Sequence, residues 1–456
     1  MASTAEQQIS HLRSLLDILT TSTNDLIDKL ASPASSSSKT QNGTTANHVD
    51  VRVPTDPKTE EARKRIIAAT ASLEAAVMTP QWRLGHLANG YYVPRALHMA
   101  VEWDIPRLLA TNGPMGLDAL AAETGVVDPR KLGLVMRTLC AHHIFAETAP
   151  DVFANDEASA ALAADECLAS SVRFASFLFP AADVLPSLLK DPVLGASHAS
   201  RDSAFARSVG NGMGQFEYLN AHPEWRDCFN LWLAQLGGYL HGLTDVGGYP
   251  WESTLRDGAV VVDVGGGLGS SIQALRTNFP DRRDDFVGVV QDQPGMIEDA
   301  TAYWQKTDPQ ALATGAVKLT AHDFFRENPV KGADVYWLRS VIVDWQDDNL
   351  AKILAHIHDA MAPGKSRLLI GEYIMHPTCG DAMLPNAPAP LLKNYGEFQA
   401  MGLISGFILT VSPNGTQRTI RDLTRVVEAA GLKIVKVWLC RGLGHVIECR
   451  LKEDVE

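Results

Sequence analysis

The hydrophobic pattern changes period along the chain. From 8 to 31, Ile9, Leu12, Leu15, Leu16, Ile18 and Leu19 recur at helical spacing, and an amphipathic helix is predicted. The run Ser35-Ser36-Ser37-Ser38 and the polar residues up to about 57 offer too little apolar area to order a segment, so a flexible linker is predicted. A helical period then holds over 58–190. Short helices are expected at 96–103 and 105–109, and a helix from 117 stops at Gly125. Asp128 and Pro129 supply an N-cap and a first-turn proline for a helix reaching 141. Residues 145–147 and 152–154 follow as a small hairpin, which predicts a winged helix. Residues 191–257 read as connecting helices. From 258 strands take over. Apolar runs at 259–264, 286–290, 317–320, 334–338 and 367–372 alternate with helical stretches, of which 347–362 ends at Pro363-Gly364. That alternation predicts an α/β fold with a doubly wound parallel sheet. After a helix at 419–430, runs at 433–439 and 444–451 are close enough to form a hairpin. Four regions result: 1–57, 58–190, 191–257 and 258–456.

Composition narrows the partners. The 456 residues carry 40 Lys+Arg against 53 Asp+Glu, a formal charge of −13, which argues against nucleic acid because phosphate binding needs clustered cations. The predicted recognition helix, 129–141, carries only Arg130, Lys131 and Arg137. No apolar run reaches the roughly 18 residues of a membrane span, so no membrane partner is expected. The first residues lack the basic and apolar regions of a secretion signal, so a cytoplasmic location is expected. The six cysteines are scattered without a C-x-x-C pair, and neither a disulfide framework nor a metal site is expected.

The most specific motif is Asp263-Val264-Gly265-Gly266-Gly267-Leu268-Gly269, which follows a predicted strand and opens a helix. A dinucleotide fingerprint starting at Gly265 would need glycine at 270, where Ser270 stands. The pattern is instead D-x-G-x-G-x-G. Gly265, Gly267 and Gly269 let the backbone approach a ligand, and an acidic residue at the strand end pairs with an ammonium rather than a pyrophosphate. That combination suits the methionine part of S-adenosylmethionine (SAM). Asp292, ending the second strand, is placed for ribose hydroxyls. Asp323 and Phe324, ending the third, suit the adenine amino group and its ring face.

With these motifs the segment over roughly 90–456 resembles the plant and fungal SAM-dependent O-methyltransferases, and most closely the fungal enzymes of polyketide-type biosynthesis. The resemblance implies a winged-helix dimerisation domain, a Rossmann-like SAM domain and a homodimer acting on a small molecule. In that family the segment after the fourth strand reads approximately L-[KR]-x-x-x-H-D-W, and its His removes the proton from a phenol or enol before methyl transfer. The chain reads Leu338-Arg339-Ser340-Val341-Ile342-Val343-Asp344-Trp345, with Val343 in the His position. Valine takes no proton. Of the two carboxylates that flank the family's His, one matches Glu372 and the other falls where Gln417 stands.

Three readings compete. Another residue supplies the base: Glu372, Asp344, or one of His142, His143, His241 and His445. The protein is a non-catalytic SAM-binding partner. Or the site runs a reaction that needs no base, as in the few fungal members of the family that act as pericyclases or dehydratases. Shape and fixed charge assist such chemistry, and Arg339 offers a permanent donor, though the family also uses Lys or Arg there to support the cofactor. This third reading leads. His142 and His143 end a helix, where two roles fit: donation to a substrate carbonyl, or a helix cap. The substrate pocket is expected to be lined by Met213, Phe216, Tyr218, Trp232, Met401, Phe407, Ile408 and Ser412, with Val343 beside them. Most of these types also serve as core packing.

Overall fold

The computed structural model describes residues 5–31, 56–239, 242–245 and 248–455. The predicted Ser-rich linker and His241 lie outside them. The chain forms two units. One comprises Met1–Val77, Tyr239–Leu409 and Gly415–Glu456; the other comprises Met78–Gly238 with Thr410–Asn414.

In the second unit, the helices Ile105–Asn112, Leu117–Thr124 and Pro129–Ala141 close over Leu109, Leu120, Leu132, Met136 and Leu139. The punctuation read from the sequence operates as expected. Asp128 caps the last helix by accepting from the Arg130 amide, Pro129 takes its first position, and Gly125 adopts φ 72° past the end of the preceding one. The wing comprises β1 (Met115–Gly116), β2 (Phe145–Ala149) and β3 (Val152–Asn155), in the order β1-β3-β2. β1 is too short to leave a sequence signal. Phe145 and Phe153 turn inward and tie the wing to the helices.

In the first unit, β4 (Ala259–Val264), β5 (Phe286–Asp292), β6 (Val317–Ala321), β7 (Val335–Arg339), β8 (Arg367–Glu372), β9 (Leu432–Leu439) and β10 (His445–Leu451) form one sheet. Their order is β6-β5-β4-β7-β8-β10-β9. β4 to β8 are parallel, and β10 runs antiparallel to β8 and β9. Continuous apolar runs make these strands because both faces are covered. Val262, Leu338 and Ile370 point to one core, and Val261, Trp337 and Leu369 to the other. The strand order reverses at β4, so the crevice beyond the strand C-termini opens there. Asp263, Asp292, Arg339 and Glu372 all stand at that edge, and His445, which begins the antiparallel β10, stands at it too.

The helices Ala5–Ala31 and Pro57–Val77 belong to the same unit. Leu15, Ala68 and Ala69 bury against Ala387, Leu391, Tyr395 and Phe398. Only a narrow seam of the predicted N-terminal stripe is covered: Leu15 is buried, whereas Ile9, Leu12 and Leu16 stay exposed. The helix predicted to reach 362 ends at His358, where the chain turns toward β8.

Candidate SAM and acid–base site

The Asp263 side chain is 1% exposed, and its Oδ2 has no hydrogen-bond partner among the described residues. Burial pushes this carboxyl up to about 7; Arg339 opposes the shift and Asp292 adds to it. A buried oxygen left unpaired is unfavourable, and the ammonium of an amino acid would satisfy it. Gly265, Gly267 and Gly269 take φ of 72°, 56° and 81°, conformations open to glycine. Gly266, which the motif leaves unspecified, is equally constrained: a Cβ there would lie 2.7 Å from the Asp263 Cγ. The Gly267 amide donates to Asp292 Oδ2 at 2.8 Å, and the Gln293 amide to Oδ1 at 2.7 Å. Each oxygen keeps a lone pair for a ribose hydroxyl. Trp304 Nε1 donates to the Leu268 carbonyl at 2.8 Å and pins the turn. Asp323 Oδ1 accepts from the Phe325 amide at 3.0 Å, and a Cβ on Gly265 would stand 3.5 Å from the Phe324 ring. Carboxylate, close backbone, ribose acceptor and aromatic face therefore fit SAM, which Asp263, Asp292, Asp323 and Phe324 would hold. When bound, SAM supplies an electrophilic methyl group and a sulfonium charge.

Arg339 ends β7, half-buried and paired by its backbone register with Gly371 of β8, and no hydrogen bond or ion pair engages its side chain among the described residues. Its charge acts through space on Asp263 and Glu372. The chain then turns through Ile342–Asp344. The Val343 carbonyl accepts from the Thr416 amide at 2.8 Å. The buried Arg418 donates to the carbonyls of Ile342 at 2.7 Å and Trp345 at 2.6 Å, and to Asp347 Oδ1 at 2.9 and 2.8 Å. Arg418 thus fixes the loop that presents Val343. Its neighbours in sequence gave no sign of that role.

Glu372 is buried. Its Oε1 accepts from the Tyr373 amide at 3.0 Å, and its Oε2 has no partner among the described residues. Burial pushes this carboxyl up to about 8; the Tyr373 amide opposes the shift, Asp344 adds to it, and Arg339 and Arg418 oppose it. Gln417 donates from Nε2 to the Tyr373 carbonyl at 2.8 Å, and its Oε1 is buried without a partner. Asp344 is exposed yet closely surrounded by protein, and desolvation raises it to about 6. The fold thus gathers Arg339, Val343, Asp344, Glu372 and Gln417 in one unit.

The remaining sequence candidates divide between the units. Met401, exposed, and Ile408, half-buried, lie on the helix Glu397–Val411 of the first unit, which also carries the exposed Phe407. Met213, Phe216, Tyr218, Trp232, Ser412, His142 and His143 belong to the second. Phe216 is 51% exposed, and the buried Ser412 hydroxyl is engaged by Gln215 Oε1. Tyr218 and Trp232 pack into an aromatic cluster with Phe174, Phe177, Phe205 and Phe229. His142 is the C-cap of Pro129–Ala141, and both histidines are exposed. Among the described residues, no cluster of His, Cys, Asp or Glu is arranged to hold a metal ion. No helix of the described residues is long and apolar enough to cross a membrane.

Comparison with known proteins agrees with this geometry. A sequence model of the O-methyltransferase domain matches residues 188–433, and one of the O-methyltransferase dimerisation domain matches 85–165. The chain belongs to the O-methyltransferase family. The O-methyltransferase gedA of Aspergillus terreus is 35% identical over 85% of this chain and 86% of its own length. The O-methyltransferase tpcA of Aspergillus fumigatus is 34% identical over 86% and 87%. Among solved structures, the mitomycin 7-O-methyltransferase MmcR superposes with a TM-score of 0.62 at 26% identity, covering 84% of this chain and 99% of that one. LepI in complex with SAM superposes with a TM-score of 0.67 at 19% identity, covering 86% and 94%, a likeness of fold alone. This family member is a SAM-dependent, methyltransferase-like enzyme with a dimerisation domain ahead of a Rossmann-like domain, and SAM is its cofactor.

Proposed function

We propose that this enzyme binds SAM and catalyses a pericyclic or dehydrative rearrangement of a polyketide-type small molecule without spending the methyl group. The observation that carries the reading is the state of the acid–base position. Val343 stands where the family's His is expected, Gln417 is uncharged, and burial raises the Glu372 carboxyl to about 8, which favours its protonated form. What remains beside Arg339 is an apolar Val343, an uncharged Gln417 and a desolvated Glu372, with Asp344 the one carboxyl of the set that burial raises only to about 6. Such a site holds a flexible substrate near its reactive geometry. It also stabilises negative charge growing on a carbonyl or quinone-methide oxygen. A fixed donor of this kind is worth about 3 kcal/mol, roughly two orders of magnitude in rate. Val343 gives an alkyl or polyene chain an apolar neighbour. Met401 and Ile408, on the sheet-bearing unit that carries Arg339 and Val343, are proposed to line the pocket.

A second reading rests on the relatives, which are named O-methyltransferases. Asp344, raised to about 6, is then the substitute base for a phenol or enol. One incubation separates the readings: purified protein, SAM and candidate polyketide intermediates, followed by mass spectrometry. An isomer or dehydrated product with SAM unconsumed supports the first. A product heavier by one methyl group, with S-adenosylhomocysteine accumulating, overturns it in favour of the second. Absence of any product leaves a non-catalytic SAM-binding partner.

The dimerisation-domain match points to a homodimer, and the helix Pro80–Asn89 has no buried residue while exposing Trp82, Leu84 and Leu87. Sedimentation equilibrium should give twice the chain mass.

A further inference from the structure

The imidazole missing at 343 has a counterpart across the sheet. β8 and β10 pair antiparallel, with Glu372 directly opposite His445. Opposed residues of such a pair share a face, with Cβ atoms about 4.5–5.5 Å apart. Both side chains are buried, and each carries one polar atom without a partner among the described residues: Glu372 Oε2 and His445 Nδ1. Two unpaired buried polar atoms on facing residues are the exception in a folded protein.

We propose that His445 is a positioning residue for Glu372: its neutral Nδ1 accepts the hydrogen bond of the Glu372 acid proton on Oε2, which keeps Glu372 uncharged and Arg339 un-neutralised. No bond is made or broken; the proton stays on Glu372. The surroundings of His445 favour the acceptor role. Lys64 on the helix Pro57–Val77 and His376 beyond β8 both oppose a second positive charge, and burial pushes the imidazole down to about 3. The imidazole therefore stays neutral, and the tautomer protonated on Nε2 leaves Nδ1 free to accept. Around Glu372 stand Asp344 on the β7 loop, Arg339 on β7 and Arg418 beyond the helix Glu397–Val411. A neutral Glu372 leaves Arg339 its full charge. The pairing stands without the reaction proposed above; only its benefit to Arg339 rests on that reading.

The test uses full-length, SAM-loaded protein and two readouts. The first is infrared spectroscopy at pH 6.5–8, with no substrate. A protonated-carboxyl band that disappears in Glu372→Gln is expected to shift in His445→Leu and to return in His445→Gln, whose amide oxygen still accepts. A band unmoved by His445→Leu, or no band removed by Glu372→Gln, overturns the pairing. The second is the pH profile of turnover. One hydrogen bond of ordinary strength moves a pKa by about one unit. The alkaline limb of His445→Leu should therefore fall about one unit lower, for about a twofold loss at pH 8 and about a fivefold loss at pH 9, with His445→Gln following wild type. Identical limbs in wild type and His445→Leu overturn the consequence for Arg339. A shifted infrared band with methylated product keeps the pairing and rejects the pericyclic reading, so the two failures are distinguishable.

Discussion

At the scale of single residues, buried carboxyls dominate. Asp263 and Glu372 both have folded pKa values raised, to about 7 and about 8. In the unfolded chain they ionise near 4, so folding takes up protons between about 4 and 8. The SAM-free protein should therefore lose stability as pH rises through that window. Thermal midpoints at pH 5.5 and 8 check the sign, and Glu372→Gln should flatten the slope. An added ammonium reverses the matter at Asp263, where charge is then wanted. Asp263→Asn should weaken SAM binding by about 10- to 100-fold, the worth of one charged hydrogen bond, as read by calorimetry. Gly266→Ala should do comparable damage, since its Cβ would sit 2.7 Å from the Asp263 Cγ. Equal affinity in either variant would remove that residue from the cofactor site. Asp263 was legible in the sequence because a strand end and spaced glycines mark it. Gly266 was not, because its constraint comes from a side chain folding back rather than from its own φ.

Among elements, the loop after β7 is decisive. Its frame, from Leu338 to Trp345, reads directly from the sequence, as do the strand before it and the helix after it. What holds it does not. Arg418 arrives from far along the chain and satisfies two carbonyls and Asp347. Truncation to alanine strands those buried acceptors, and the expected loss is about 2–4 kcal/mol, measured by urea denaturation. Arg418→Lys should recover only part of it, because a single ammonium cannot copy the planar fork. A variant as stable as wild type would show that the loop is held otherwise. The β9–β10 hairpin was also legible, from two strand runs too close for a crossover. The pairing of β10 with β8 was not, and the register of that pairing is what sets His445 opposite Glu372.

Over the whole molecule, the N-terminal helix pair is part of the sheet-bearing unit. Its ion pairs Lys29–Asp56 and Lys58–Asp25 lie at the surface, each partner at least partly open to solvent, and contribute little. The apolar seam with Leu391 and Phe398, and the Tyr395 hydroxyl donating to Glu61 at 2.8 Å, hold it in place. Removing residues 1–77 should uncover that seam, lower the melting temperature and raise binding of an apolar dye. An unchanged melt would mean that the pair adds nothing to the unit's stability. The sequence by itself determined the fold class, the glycine-rich loop after β4 and the valine at 343, because each is written in local periodicity or in one contiguous motif. Tertiary structure alone decided which carboxyls are stripped of water, which cation is left unpaired and which imidazole faces Glu372. Those properties belong to groups brought together from distant parts of the chain, and desolvation exists only once the surrounding protein has closed over them.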